Sequence, residues 1–85
     1  MTAADVVRLA REAGATIAVA ESLTGGALAS AIVDVPGASA VLRLGVVAYD
    51  TAMKASVLGV DPLLLAERGA VDGDVAAQMA AGVRA

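Results

Sequence analysis

Two strand-like apolar runs constrain this chain more than any other feature. Residues 15 to 20 read ATIAVA, with β-branched members and no polar alternation. A strand with one face in water alternates polar and apolar side chains, whereas a strand covered on both faces does not, and cover on both faces is typical of parallel strands flanked by helices. ATIAVA therefore predicts a strand over 15–20 that is buried on both sides. A second apolar run, centred on Val46 and Val47 within VLRLGVVAY, predicts another strand over 41–49.

Between and around these runs the pattern turns helical. Val6, Val7, Leu9, Ala10 and Ala13 fall on one face of a helix over 4–13, with Arg8, Arg11 and Glu12 elsewhere, and Gly14 ends it. A second helix is expected from about 25 to 34, broken by Asp34-Val35-Pro36-Gly37, with Ser39 a candidate cap for the next element. A short helix over 51–58 is closed by Gly59. Asp61-Pro62, in cap-then-proline order, opens another that runs through Leu63, Leu64 and Leu65 to Gly69. Residues 73–84 read as an alanine-rich helix that holds an internal Gly82.

The order helix, strand, helix, strand, helices points to an α/β fold, with parallel strands joined by a crossover and helices flanking the sheet in a three-layer αβα arrangement. Two parallel strands cannot make a self-sufficient sheet. The 85 residues are therefore expected to form one incomplete domain, with a thin core and an open apolar edge.

Composition narrows the chemistry. The sequence holds no Cys and no His, so disulfide frameworks, thiol chemistry, a Ser-His-Asp triad and most zinc sites are excluded within it. Any base must be a carboxylate, a lysine or a tyrosine. Net charge is −3, and the arginines (Arg8, Arg11, Arg43, Arg68, Arg84) are scattered, which argues against a nucleic-acid partner. The start MTAADVVRLAREAG has neither the positive opening nor the apolar block of a signal peptide, and no run of about 18 apolar residues occurs. No membrane partner and a cytoplasmic location are expected. No carboxylate cluster has metal-ligand spacing. Asp72 and Asp74, at the head of the last helix, read most simply as cap and dipole charges.

The stretch VAESLTGGALAS, residues 19–30, sets a carboxylate, two hydroxyls and two glycines between strand and helix. Ser22 leaves the strand tip and Thr24-Gly25-Gly26 makes the turn. Such a turn aims N–H groups, and a helix N-terminus, at a phosphate or a developing oxyanion. The bland alternative is that Ser22 or Thr24 caps the helix and the glycines only relieve the turn. Glu21 either hydrogen-bonds a substrate or holds the turn's own N–H groups.

At the second strand-to-helix junction stand Tyr49, the only aromatic residue, and Lys54, the only lysine. Ligands gather at the carboxyl ends of parallel strands. Ser22 is thus a candidate nucleophile, Lys54 its base and Tyr49 a group that orients or relays the proton. A lysine base requires desolvation or a nearby cation, and helical spacing sets Lys54 on the face of Val57 and Leu58. Alternatively Lys54 pairs with Asp50 across one helical turn at the surface, or Asp50 caps the helix.

The run A-E-S-x-T-G-G (Ala20 to Gly26), D-V-P-G-A-S (Asp34 to Ser39), G-V-V-A-Y (Gly45 to Tyr49), Lys54, L-G-V (Leu58 to Val60) and G-A-V (Gly69 to Val71) resembles the CinA C-terminal domain family, also called nicotinamide-nucleotide amidases. The likeness runs from about residue 5 to the end and corresponds to the N-terminal half of that domain, which the family continues into further strands and a second glycine- and proline-rich loop. The resemblance implies hydrolysis of the carboxamide of nicotinamide mononucleotide to nicotinic acid mononucleotide and ammonia. It implies Ser22 as nucleophile, Tyr49 and Lys54 activating it, and Glu21, Thr24, Gly25 and Gly26 on the substrate side. It calls for no cofactor, a small nucleotide substrate, and a homodimer. Leu23 departs from a position where the family often has cysteine, and Asp72 from one where a small hydroxyl residue is common. A non-catalytic nucleotide-binding module, or a fragment that needs the rest of its domain, are the alternative readings.

Overall fold

The computed structural model describes residues 1–84. Helix α1 (Ala3–Ala13) opens with a capping box in which the Thr2 hydroxyl accepts from Asp5 N–H and the Asp5 carboxylate accepts from Thr2 N–H. It closes at Gly14, and the next N–H, that of Ala15, folds back onto the Ala10 carbonyl at 2.9 Å. That closure takes Ala15 out of the sheet, so β1 spans Ile17–Glu21 rather than the expected 15–20. Helix α2 (Ala27–Val33) starts two residues later than expected, because Gly25 (φ 62°) and Gly26 (φ 104°) both adopt left-handed backbone.

After α2, a 3₁₀ turn at Ala38–Ala40 leads into β2 (Leu42–Val47). The turn is capped by the Gly37 backbone without a side-chain bond, so Ser39 does not take the capping role expected of it. Helix α3 (Thr51–Ser56) is shorter than the expected 51–58, and α4 (Pro62–Arg68) begins with Asp61 capping Leu63 N–H and Pro62 in the first turn. Helix α5 covers Gly73–Arg84, with Asp72 Oδ2 accepting from the N–H groups of Asp74 and Val75. At 12 residues, α5 is the longest helix described, and none of those described is long and apolar enough to cross a membrane.

The strands pair in parallel from Ile17↔Leu42 to Glu21↔Val47, with an irregularity after Ile17. Two cores lie on opposite faces of this pair. Val7, Val19, Ile32, Ala38 and Val41 join α1 and α2 to the sheet. Ala48, Leu58, Val60, Leu65, Val75 and Met79 form the second, beneath α3, α4 and α5, with Ala20 and Val46 packed against it. The fold is thus the α/β, helix-flanked parallel sheet that the sequence predicts. The sheet has two strands among the described residues, and Leu44 and Val47 remain about half exposed along β2, the open apolar edge expected of a partial domain.

Candidate active site

The site begins where β1 runs out. Glu21, the last β1 residue, is buried, with 4% of its surface exposed. Its side chain reaches forward over the turn: Oε1 accepts from Thr24 Oγ1 at 2.8 Å and from Leu28 N–H at 2.7 Å, and Oε2 accepts from Ala29 N–H at 3.0 Å. Burial, the largest influence, raises the affinity of the carboxyl for its proton. The hydrogen bonds from Ala29, Leu28, Thr24 and Gly26 together outweigh it, and the group sits below the ordinary glutamate range. A buried, ionised carboxylate therefore ties the strand to the first turn of α2.

This arrangement decides between the roles left open by the sequence. Neither Ser22 nor Thr24 caps α2; its N-cap is Gly26, without a side-chain bond. Glu21 holds the turn, and the α2 N–H groups of Leu28 and Ala29 are committed to it. Gly25 N–H donates to the Ser22 carbonyl at 3.0 Å, and Ala27 N–H to the Thr24 carbonyl at 3.1 Å. Among the described residues, the N–H groups of Leu23 and Thr24 donate to no backbone carbonyl. An anion at this turn would thus meet Leu23 and Thr24 N–H rather than the glycines or the helix end.

Past the end of the neighbouring strand, on α3, Lys54 is wholly buried, at 0% exposure, and its Nζ donates to the Ala48 carbonyl at 2.8 Å and to the Tyr49 carbonyl at 3.4 Å. In a parallel ladder alternate residues of a strand bond, through their N–H and C=O, to two residues on the neighbouring strand. Ala48 N–H already donates to the Glu21 carbonyl at 2.8 Å. The Ala48 carbonyl is therefore the acceptor that a continued β1 would use, and Lys54 takes it instead. Ser22 and Ala48 follow the last register pair, Glu21 and Val47, so they leave adjacent strand ends.

The surface pairing of Lys54 with Asp50 is not formed, since Asp50 caps α3 by accepting from Ala52 N–H at 2.8 Å. Of the two apolar residues expected beside Lys54, Leu58 is buried and Val57 is exposed. The Tyr49 side chain is 73% exposed. No hydrogen bond joins Ser22 to Lys54 or to the Tyr49 hydroxyl among the described residues.

A groove of about 690 Å³ opens over the β1 end, between the Ser22 turn and the start of α5. Ala20, Leu23, Leu28, Val71 and Met79 make its apolar walls, and Glu21, Ser22, Thr24 and Asp72 bring the polar groups. Tyr49 and Lys54 are not among the lining residues. The groove thus gathers Ser22, Thr24 and Glu21, while Tyr49 and Lys54 lie beyond the end of β2, Lys54 on α3. The sequence marks Asp72 as a helix cap alone. It does cap α5, yet it also lines the groove that Ser22 lines, and 50 residues of sequence separation leave no local signal of that. Among the described residues, no group of three or more acidic side chains has the geometry to hold a metal.

The sequence matches the family model of the CinA C-terminal domain over residues 1–85. A CinA-like protein of Frankia casuarinae is 60% identical over 79 residues, covering 93% of this chain and 18% of its own length. A putative competence-damage inducible protein of Caldanaerobacter subterraneus subsp. tengcongensis is 51% identical over 79 residues, again 93% of this chain, and 19% of its own length. Among solved structures, competence/damage inducible protein CihA from Agrobacterium tumefaciens superposes with a TM-score of 0.89 at 37% identity, over 95% of this chain and 49% of that one. A CinA superfamily protein from Escherichia coli gives 0.90 at 30% identity, over 95% and 47%. The chain spans about a fifth of the length of these curated relatives and about half of these solved chains. With a match along its whole length, this chain belongs to the CinA C-terminal domain family.

Proposed function

We propose that the chain carries the nucleophile and base of an amidase that hydrolyses the carboxamide of nicotinamide mononucleotide to nicotinic acid mononucleotide and ammonia. The observation that carries this reading is the position of Lys54 Nζ on the Ala48 carbonyl, at the strand end beside the one that Ser22 leaves. Neighbouring strands lie about 4.8 Å apart, and in this reading the serine and the lysine work from those adjacent ends.

In this mechanism Ser22 Oγ adds to the carboxamide carbon while its proton passes to Lys54, with the Tyr49 hydroxyl orienting or relaying it. Negative charge that builds on the carbonyl oxygen is met by Leu23 and Thr24 N–H. The carbon–nitrogen bond breaks as the proton is delivered to the leaving nitrogen, which departs as ammonia and leaves an ester on Ser22. Water then adds to the ester carbon, one of its protons passes by way of Lys54 to the serine oxygen, and the carbon–oxygen bond breaks to free the acid.

A second reading is favoured by one observation: both Lys54 hydrogen bonds run to carbonyls of the segment that joins β2 to its own helix, and none to Ser22. Under it, the chain has the groups but needs the remainder of a family-length domain to bring them together. The third reading, a phosphate-binding turn, is disfavoured, because the ionised Glu21 already occupies the α2 N–H groups and would repel a phosphate there.

The test is ammonia release from nicotinamide mononucleotide by the protein and by its Ser22→Ala and Lys54→Met variants, each checked for folding by circular dichroism. Release that both folded variants lose supports the amidase. Release that survives Ser22→Ala sinks it. Release that appears only when a relative's remaining half-domain is added supports the second reading.

A further inference from the structure

Arg11, Arg43 and Arg84 are far apart in the sequence, yet the fold gathers them at the end of the sheet opposite Ser22. A cavity of about 260 Å³ opens there, between the close of α1 and the start of the strands, and Arg11, Gly14, Thr16, Val41 and Arg43 are among the residues that line it. Thr16 and Arg43 also line an adjoining groove, which runs between the strands and α5 to Arg84. No aspartate or glutamate lines either one. In a chain of net charge −3, this is a local reversal of sign. The donors of the cavity are also uncommitted. Arg8 is paired with Asp5 and Glu12, and Arg68 with Asp72 and Asp74, whereas among the described residues Arg11 and Arg43 have no ion pair. Glu12, the residue after Arg11, is turned to Arg8 at 3.6 Å. Thr16 precedes the first ladder residue of β1, and among the described residues its N–H donates to no backbone carbonyl. The Arg11 guanidinium is seated over Gly37, where a Cβ would lie 2.7 Å from Nη1. That contact holds Arg11 beside the 3₁₀ turn whose last residue, Ala40, is also in the cavity wall.

We infer that the amino end of the sheet holds a binding site for a phosphate-type oxyanion, made by the guanidinium groups of Arg11 and Arg43 with the N–H and hydroxyl of Thr16. A guanidinium presents paired N–H donors in one plane, which matches two phosphate oxygens, and such charge-assisted bonds are about twice as strong as neutral ones. The cavity is smaller than the roughly 300 Å³ at which small-molecule pockets begin, so it suits a phosphoryl group rather than a whole nucleotide. Strand β1 separates it from Ser22: five residues at about 3.3 Å each put roughly 16 Å between the two ends. The site is therefore distinct from the groove beside Ser22, and the inference does not depend on the amidase.

The test is an NMR titration of the isotope-labelled protein with inorganic phosphate near neutral pH, read at the Thr16 amide and at the Nε–H groups of Arg11 and Arg43. Ionic strength is held constant with sodium chloride, so that general screening is the same at every point. The expected result is a saturable shift confined to these groups, with affinity about tenfold weaker in Arg11→Gln and in Arg43→Gln. Arg43→Lys, which keeps the charge and loses the planar fork, should fall between wild type and Arg43→Gln. Both arginines are exposed, and the dispersion of each variant's spectrum checks that it is folded. Adenosine monophosphate, titrated in parallel, separates two sources of the same chemistry. Equal affinity marks the phosphoryl group alone as what is recognised; tighter binding, with shifts at Ala18 and Leu44 in the adjoining groove, marks a phosphate ester. Shifts that do not saturate, that chloride alone reproduces, or that persist unweakened in both glutamine variants would overturn the inference.

Discussion

Lys54 Nζ donates to the Ala48 carbonyl at 2.8 Å from a side chain that has no exposed surface. The α3 helix that carries it is only six residues long, so the lysine is held by its contacts more than by its helix. Lys54→Met keeps the stem and removes the donor, leaving a buried carbonyl unpartnered at a cost of about 1–3 kcal/mol. Chemical denaturation is expected to show that loss. Ammonia release should fall at least about 100-fold, the lower end of what a positioned proton acceptor contributes. Normal turnover in a destabilised Lys54→Met would remove Lys54 from the chemistry and keep it as a structural residue.

Glu21 supplies a pH dependence with a definite sign. Its folded carboxyl holds a proton less readily than an ordinary glutamate. The stability it contributes is therefore complete above the ordinary glutamate value and is lost as pH falls from there through the lower folded value. In Glu21→Gln this part of the acid limb disappears, so the pH profiles of wild type and variant converge in acid and separate near neutrality. Superimposable profile shapes would show that the carboxylate charge is not what holds the turn. Because the turn aims Ser22, Glu21→Ala is expected to lower the rate of ammonia release about 100-fold even where the chain stays folded.

Gly26 sits at φ 104°, and a Cβ there would meet only Val47 Cγ2 at 3.7 Å, an ordinary contact. The penalty for Gly26→Ala is therefore one of backbone conformation, about 1–3 kcal/mol. A chemically synthesised chain with D-alanine at this position should lose far less, since the mirror residue prefers positive φ. Equal losses for the two alanines would place the penalty in packing instead.

Gly82 tests packing against propensity. Alanine is favoured over glycine in a helix interior by about 1 kcal/mol. Here, however, an added Cβ would run into the Leu58 carbonyl, a collision with backbone that no side-chain rotation relieves. Displacing α5 to make room costs about 1–3 kcal/mol by the usual scale of overpacked cores, and the closeness of this contact puts it at the upper end. Gly82→Ala is expected to destabilise by about 1–2 kcal/mol net, read as a lower denaturation midpoint. A gain in stability would mean that α5 does not lie against Leu58.

The sequence by itself determined the element order, because apolar β-branched runs, glycine closures and the Asp61-Pro62 start are local instructions that the backbone reads within a few residues. It also offered Ser22, Tyr49 and Lys54 as candidates for the chemistry, since in a chain without histidine or cysteine few other side chains can serve. Boundaries shifted where a local rule met a neighbour. The Gly14 closure delays β1, and two left-handed glycines delay α2. Only the tertiary structure decided that Glu21 clamps α2, because that bond spans seven and eight residues and depends on the turn's path. It alone set Lys54 on the Ala48 carbonyl and brought Asp72 and Ser22 to the lining of one groove. These pairings arise from strand register and from the packing of α5 onto β1. Both are fixed by burial of apolar surface between elements distant in sequence, which no local pattern encodes.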